Sequence, residues 1–283
     1  MLFPHPPVLK VQSLSVPQSA RPKLGQHFLI RGSILERIAA AACPTRESLV
    51  VEIGPGRGAL TEKLLKRADR VAAVELDGYL VNCLRRRFAD ESRLQIVHGD
   101  ALATDMAQWG PAVIAGNLPY SIASPIVEKV AGIRASVRRA VFLIQKEVAQ
   151  RLVAQPRHRA YGFLSVATAL FFDAELLFEV KPAAFHPPPE VDSAVVRLTP
   201  RECAPEGKLA DSAGFLRFVG QCFRQKRKTI RNNLAPIYGQ AIVDAWPEAR
   251  LRAEQVSLEQ FAEMYGRLWA GNPLARSRER PWL

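Results

Sequence analysis

The sequence predicts an α/β protein: a doubly wound, mostly parallel sheet followed by a small all-helical domain. Three observations predict it. Short apolar runs rich in β-branched residues alternate with stretches of helical periodicity between residues 49 and 198, which is the pattern of repeated β-α units. The first run, Val50-Val51-Glu52-Ile53, opens into the glycine-rich turn Gly54-Pro55-Gly56-Arg57-Gly58 and then a helix start. After about residue 200 the strand pattern stops and only helical spacing remains.

The elements follow in order. Residues 1–22 carry five prolines and little periodicity, so a disordered or loosely attached arm is expected there. Ordered structure is expected from Lys23 onward. Ile34, Leu35, Ile38 and Ala42 share one helical face, which predicts a helix over 33–42 with Ser33 as its N-cap. Strands are predicted at Leu49–Ile53, Val71–Val74, Leu94–Val97, Val113–Ala115 and Val141–Ile144. Helices are predicted between them at Ala59–Ala68, Tyr79–Phe88 and around Ile126–Val130. Leu164–Phe172 reads as a helix, Leu176–Val180 as extended chain and Asp192–Leu198 as a last strand. Pro187, Pro188 and Pro189 have no amide donors and a fixed φ, so they predict a rigid extended connection rather than helix or central strand. Further helices are predicted at Phe215–Phe223, Lys228–Leu234 and Ser257–Trp269. The expected boundaries are therefore 23–200 for the α/β domain, 201–271 for the helical domain and 272–283 for a frayed tail.

Bulk properties narrow the function. A chain of 283 residues with 48% hydrophobic content has room for one large domain and a smaller one. The net charge of +12 and a pI near 10.0 suggest a polyanionic partner, most often nucleic acid, against the plainer reading of a basic solvated surface. No apolar run reaches the ~18 residues of a transmembrane helix. Cys43, Cys83, Cys203 and Cys222 are scattered and form no CxxC pair. That argues against a zinc module and a disulfide scaffold, fits a reducing cytoplasm, and gives no reason to expect a metal. The N-terminus lacks the layout of a signal peptide, and two basic residues among the first twenty-one give a transit peptide little support.

Ligands in open α/β sheets bind just beyond the carboxyl ends of the strands, and four predicted strand ends carry suitable groups. Gly54, Gly56 and Ala59 satisfy a dinucleotide fingerprint. Alone, this turn fits an NAD site, an S-adenosylmethionine site or a purely structural turn. Glu75, in Val74-Glu75-Leu76-Asp77, stands where an acid accepts both ribose hydroxyls of a nucleoside. Asp100, in Gly99-Asp100-Ala101, could accept from an adenine amino group or simply form an N-cap or Asx turn. The fourth strand ends in Asn117-Leu118-Pro119-Tyr120, an amide, a stiff backbone carbonyl and an aromatic ring with no acid or base.

These residues carry a family resemblance. Gln26-His27-Phe28-Leu29, Glu52-Ile53-Gly54-Pro55-Gly56, Glu75-Leu76-Asp77, Gly99-Asp100-Ala101 and Asn117-Leu118-Pro119-Tyr120 occur in order. They are followed by Gln145-Lys146-Glu147-Val148, Phe185-His186-Pro187-Pro188-Pro189, Val191-Asp192-Ser193-Ala194-Val195 and Arg227-Lys228-Thr229-Ile230-Arg231-Asn232. From residue 23 to about 270 the chain resembles the KsgA/RsmA ribosomal RNA adenine dimethyltransferases, relatives of the Erm enzymes. The resemblance implies a Rossmann-like class I methyltransferase fold with a seven-stranded sheet, and S-adenosylmethionine as donor. It implies N6 of two adjacent adenines near the 3′ end of small-subunit (16S) rRNA as target, with a role in small-subunit biogenesis. Carried over by position, the cofactor contacts would be His27, Leu29, Gly54, Gly56, Glu75, Asp100 and Asn117. In one departure, many members have Asn where this chain has His27.

The implied chemistry explains the absence of an acid or base. The adenine N6 lone pair is delocalised into the ring, and a sulfonium donor already carries an activated methyl group. What helps is a pair of acceptors that hold the amine in line. The Asn117 side-chain oxygen and the carbonyl of Leu118 or Pro119 suit this role. Tyr120 and Phe185 are candidates for the two faces of a flipped-out base; Phe185 would otherwise be a hydrophobic plug. Residues 224–233 hold five basic side chains, Arg224, Lys226, Arg227, Lys228 and Arg231, and no acid. They read as a solvated helix face or as phosphate contacts. Arg138, Arg139, Arg151, Arg157 and Arg159 are expected to extend that surface near the active-site mouth. The implied partner is small-subunit rRNA in a pre-assembled 30S particle, met in the cytoplasm by a monomer. Two other readings compete: a fold-retaining nucleic-acid-binding or assembly factor with little catalysis, and an NAD-dependent oxidoreductase. Intact Gly54, Glu75, Asp100, Asn117 and Tyr120 oppose the first. The second has no hydride-transfer site and leaves Asn117–Tyr120 unexplained.

Overall fold

A computed structural model of the chain describes residues 27–201 and 211–271; the expected N-terminal arm, the start at residues 23–26 and the expected tail lie outside them. The chain runs β1 (Phe28–Leu29), α1 (Gly32–Ala42), β2 (Glu47–Ile53), α2 (Ala59–Leu65), β3 (Ala68–Glu75), α3 (Gly78–Arg87), β4 (Leu94–His98) and β5 (Ala112–Asn117). It continues through α4 (Ala123–Gly132), β6 (Val137–Gln145), α5 (Lys146–Val153), α6 (Phe163–Phe171), β7 (Phe172–Val180), β8 (Phe185–His186) and β9 (Ser193–Pro200). The C-terminal part is α7 (Ser212–Cys222), α8 (Ile230–Tyr238), α9 (Gln240–Asp244) and α10 (Leu258–Gly271).

Seven strands form one sheet in the order β4-β3-β2-β5-β6-β9-β7. All run parallel except β9, which is antiparallel to both β6 and β7. The link from β7 to β9 carries no α-helix to make a parallel crossover, so the chain returns antiparallel. The strand order reverses at β2, between β3 and β5, and this opens a crevice at their carboxyl ends. Period-two alternation divides the strand residues between the faces. Leu49, Val51 and Ile53 of β2 meet Ile126, Val127 and Val130 of α4 on one side. Val50 meets Leu35 and Ile38 of α1 and Leu60 and Leu64 of α2 on the other. Each such aliphatic side chain, fully buried, contributes roughly 1.5–3 kcal/mol.

Several boundaries differ from those the sequence predicts. Ser33 is not an N-cap: α1 starts at Gly32 after Arg31, which makes no side-chain cap bond. The second helix stops at Leu65, and Ala68 already belongs to β3. Phe172 starts β7 rather than ending α6. Lys228 lies outside α8, whose N-cap Thr229 accepts the Asn232 N–H at 3.3 Å. Helix α5 was hidden by its charge, since only Ala149 and Leu152 of its eight residues are buried. The two core regions are also less separate than a boundary near residue 200 suggests. Tyr161, together with Val166 and Leu170 of α6, belongs to the same apolar cluster as Phe215, Phe218, Leu234 and Phe261.

Candidate active site

The crevice at the switch point is a cleft of about 310 Å³. Its lining brings together most of the predicted site residues: His27, Leu29, Gly54, Gly56, Glu75, Asn117, Leu118, Pro119, Tyr120 and Phe185. Asp100 alone of the predicted cofactor residues is not part of that lining.

The floor is a set of backbone turns that need glycine. Gly54, Gly56 and Gly58 have φ of 66°, 58° and 81°, where an L side chain is strained. Glu75 closes the turn from β3. One of its oxygens accepts the Gly56 N–H at 3.0 Å and the other the Asp77 N–H at 3.0 Å. The phenyl ring of Phe28 packs on Gly56, where an added Cβ would stand 3.1 Å from it. The Arg57 guanidinium covers the same ring at 4.9 Å from its centroid.

The wall is the end of β5. Asn117 Nδ2 donates to the His27 carbonyl at 3.0 Å. A carbonyl only accepts, so this bond fixes which way the amide points and leaves Oδ1 free as an acceptor. The Leu118 N–H donates to the Leu143 carbonyl at 3.0 Å, and the Pro119 carbonyl accepts the Ile122 N–H at 3.1 Å. Among the described residues no hydrogen bond reaches the Leu118 carbonyl. The Tyr120 hydroxyl shares a 2.7 Å bond with Ser193 of β9, and its ring stacks with His27 at 6.1 Å between centroids. Burial raises the Tyr120 phenol above its ordinary value, against the lowering effect of the Ser193 bond. The His27 ring is itself tied, its Nδ1 donating to the Pro187 carbonyl at 2.9 Å. Phe185 pairs with Leu29 across β1 and β8 and is only 4% exposed, so little of its ring is open to the cleft.

The profile described as ribosomal RNA adenine dimethylase matches residues 18–268. The chain belongs to that family. A ribosomal RNA small subunit methyltransferase A from Cupriavidus metallidurans is 41% identical over 268 residues, covering 91% of this chain and 96% of that protein. One from Bordetella bronchiseptica is 43% identical over 249 residues, covering 86% and 91%. Among solved structures, a dimethyladenosine transferase from Plasmodium falciparum superposes with a TM-score of 0.72 at 26% identity, covering 84% of this chain and 96% of that one. The 23S rRNA methyltransferase ErmE gives 0.65 at 29% identity, covering 84% and 98%. This adenine dimethylase is thus an enzyme of the methyltransferase class, and its methyl donor is S-adenosylmethionine. The cleft fits such a donor: the glycine turn leaves room for a ligand against the backbone, and the buried Glu52 on its wall holds a carboxyl oxygen without a partner.

Other residues of the dimethylase fall around this centre. Asp100 is exposed at the end of β4, where its Oδ1 accepts the Leu102 N–H at 2.8 Å. Leu76 and Leu102 were not singled out from the sequence. They are 55% and 36% exposed at the ends of β3 and β4, where an apolar side chain has no core to fill. A leucine one or two residues after a strand-end acid, Leu76 after Glu75 and Leu102 after Asp100, was the available signal. Arg224, Lys226, Arg227 and Lys228 of the basic cluster lie in a loop between α7 and α8, and Arg231 lies in the first turn of α8. Asn233, 6% exposed, braces the loop: Nδ2 donates to the Cys222 carbonyl at 3.0 Å and Oδ1 accepts the Gln225 N–H at 3.1 Å. Arg224, Arg227 and Lys228 are exposed and have no ion pair among the described residues. Lys226 donates to the Arg159 carbonyl at 3.3 Å, which puts the loop beside Arg157 and Arg159. Arg231 is instead paired with Asp244. Arg138 and Arg139 do not extend the mouth; they bind Glu47 at the opposite end of the sheet, at 3.4 and 3.7 Å. Arg151 pairs with Glu147.

Proposed function

We propose that this dimethylase transfers methyl groups from S-adenosylmethionine to N6 of two adjacent adenines near the 3′ end of small-subunit rRNA. The observation that carries the reading is the Asn117 amide, held by the His27 carbonyl so that its oxygen is free to accept an N6–H. The Leu118 carbonyl, free of other bonds, is the second acceptor; the Pro119 carbonyl is already used by Ile122. Two acceptors hold the nitrogen in line with the methyl group and favour a localised lone pair, so orientation carries most of the catalysis. The sulfonium leaves as a neutral thioether, and no general base has to act first. Gly54, Gly56 and Glu75 hold the donor with Leu29 and the His27 backbone, and Leu76 and Leu102 wall its adenine beside Asp100.

Tyr120 supplies the stacking face for the flipped base, worth roughly 1–3 kcal/mol, with Phe185 at the ring edge. Tyr120→Ala is expected to cut methyl transfer by about 10-fold or more. Tyr120→Phe, which loses only the Ser193 bond, should retain most of it. Equal losses in single-turnover assays would reject the stacking role.

Arg224, Lys226, Arg227 and Lys228 are the phosphate contacts, joined by Arg157 and Arg159 and, with its charge partly offset by Asp244, by Arg231. The substrate is rRNA within a pre-assembled 30S particle. The enzyme is proposed to act as a monomer, and no helix among the described residues is long and apolar enough to cross a membrane. That fits a cytoplasmic enzyme meeting ribosomes. Neutralising Lys226, Arg227 and Lys228 together should weaken particle binding and lower its salt slope by about 2–3. An unchanged slope would remove the loop from the interface. The overall reading is tested by mass spectrometry of small-subunit rRNA incubated with the protein and labelled donor. Two dimethylated adenines are expected; label at another base or another atom would overturn it.

A further inference from the structure

The mouth of the cleft carries a cation that has no part in the roles above. Arg57 follows Gly56 in the glycine turn, is exposed, and lines the cleft. Its guanidinium carbon lies 4.9 Å from the centroid of the Phe28 ring. Its carbonyl accepts from Arg87 Nη1 at 2.6 Å, so the backbone beneath the side chain is tied to α3. The acids around it are engaged elsewhere. Glu62 of α2 is held by Arg87 at 2.8 Å and by Lys63 and Lys66 at 3.7 Å. Glu75 gives its two oxygens to the Gly56 and Asp77 N–H groups, and the buried Glu52 binds Thr61. Among the described residues no carboxylate pairs with Arg57. Arg138 and Arg139, expected at the mouth, bind Glu47 instead, so Arg57 is the arginine that the fold brings there.

A second donor stands beside it. Phe28 and His186 are direct partners in the antiparallel pair of β1 and β8. Their side chains therefore leave the ribbon on the same face, with Cβ atoms about 4.5–5.5 Å apart. Leu29 and Phe185, the other pair, point to the opposite face and are buried. His186 is exposed and lines the cleft, and its ring makes no hydrogen bond among the described residues. An imidazole carries an N–H on at least one nitrogen in either protonation state. Phe28 is thus flanked by Arg57 and His186. The residue before it is His27, whose carbonyl sets the Asn117 amide, so the two donors stand next to the point where N6 is held.

We propose that Arg57 and His186 bind the backbone phosphate of the nucleotide whose base enters the cleft, and so hold that nucleotide in its flipped position. Contact with an aromatic ring uses none of the five guanidinium N–H groups, and their planar fork matches two phosphate oxygens. Stacking and the two N6 acceptors order only the base. A held phosphate also removes the backbone rotation that would carry N6 out of line. The loop between α7 and α8 is not part of the cleft lining; it grips the RNA at large, whereas Arg57 and His186 act on the reacting nucleotide. The competing anion is the donor's own carboxylate. The proposal rests on the reading of Asn117 and Tyr120 as the seat of a flipped adenine.

The test is single-turnover methyl transfer to pre-30S particles over a range of enzyme and salt concentrations, with calorimetry of S-adenosylhomocysteine as the probe of the donor site. Arg57→Gln should lower the ratio of maximal rate to half-saturating concentration by about 10–100-fold, and the salt slope by about 0.7–1. Its melting temperature and its affinity for S-adenosylhomocysteine should be unchanged. Arg57→Lys should restore the salt slope and leave the maximal rate low, because an ammonium is a point charge without the fork. His186→Ala should lower the maximal rate by about 3–10-fold. Combined with Arg57→Gln it should lose less than the product of the two, as partners on one phosphate do. The proposal falls if Arg57→Gln keeps the native rate and salt slope, or if the two substitutions multiply independently. It also falls if Arg57→Gln weakens S-adenosylhomocysteine as much as it weakens methyl transfer, which would give the guanidinium to the donor carboxylate. Native protein that left adenine N6 unlabelled would overturn the adenine reading itself, whereas normal labelling with an indifferent Arg57→Gln overturns the phosphate site alone.

Discussion

Asn117→Ala is expected to reduce methyl transfer by about 10²–10³-fold, the usual effect of removing one preorganised polar contact to a reacting centre. The alanine deletes the oxygen that accepts the N6–H, and the remaining Leu118 carbonyl leaves the amine free to rotate out of line. The loss should fall on the single-turnover rate. Donor binding should weaken only about 5–10-fold, because one neutral hydrogen bond is worth about 1 kcal/mol, and the glycine turn with Glu75 is untouched. The same change removes the Nδ2 bond to the His27 carbonyl, so β1 loses its tether to β5. A melting curve separates that contribution, which should be no larger than a degree or a few. Near-normal dimethylation of pre-30S particles by Asn117→Ala would sink the orientation mechanism.

What the sequence made legible follows from the range of the interactions. Strand ends are local: an apolar run that stops at glycine or a polar residue marks where β2, β3, β4 and β5 open into the crevice. Their groups could therefore be assembled before any fold was known. The orientation of the Asn117 amide was not legible, because its partner lies 90 residues away. The same is true of Tyr120, whose hydroxyl is held from 73 residues away. Helical periodicity over Lys228–Leu234 blurred a boundary that Thr229 sets by capping, which puts Lys228 in the preceding loop and leaves Arg231 in the helix. Asp244 was too distant in sequence to predict that it would pair with Arg231. Glu52 did leave a signal, a lone acid inside an apolar strand run. Such a residue is rarely fully buried without a partner, and its missing partner shows only once Thr61 and Glu75 are in place.

Gly116→Ala is expected to have the second large effect, and a different one. Gly116 pairs with Ile53 in register between β5 and β2, the two strands that flank the crevice. A Cβ at Gly116 would stand 2.5 Å from the Ile53 carbonyl oxygen and 3.1 Å from a Leu118 methyl. The first of these is backbone in the centre of the sheet and has no rotamer to retreat into. The strands must separate or shear locally, at a cost of about 1–3 kcal/mol and several degrees of melting temperature. Activity should suffer more than stability. Ile53 is followed by Gly54, and Gly116 by Asn117, so the shift separates the donor turn from the amide that orients the acceptor. A displacement near 1 Å at a reacting centre costs about 10²-fold. Gly132→Ala is the matched control, since a Cβ there meets nothing within 4 Å; at the end of α4 it should be neutral or slightly stabilising. If Gly116→Ala kept the native melting temperature and turnover, the close approach of β2 and β5 would not be what aligns the two halves of the site.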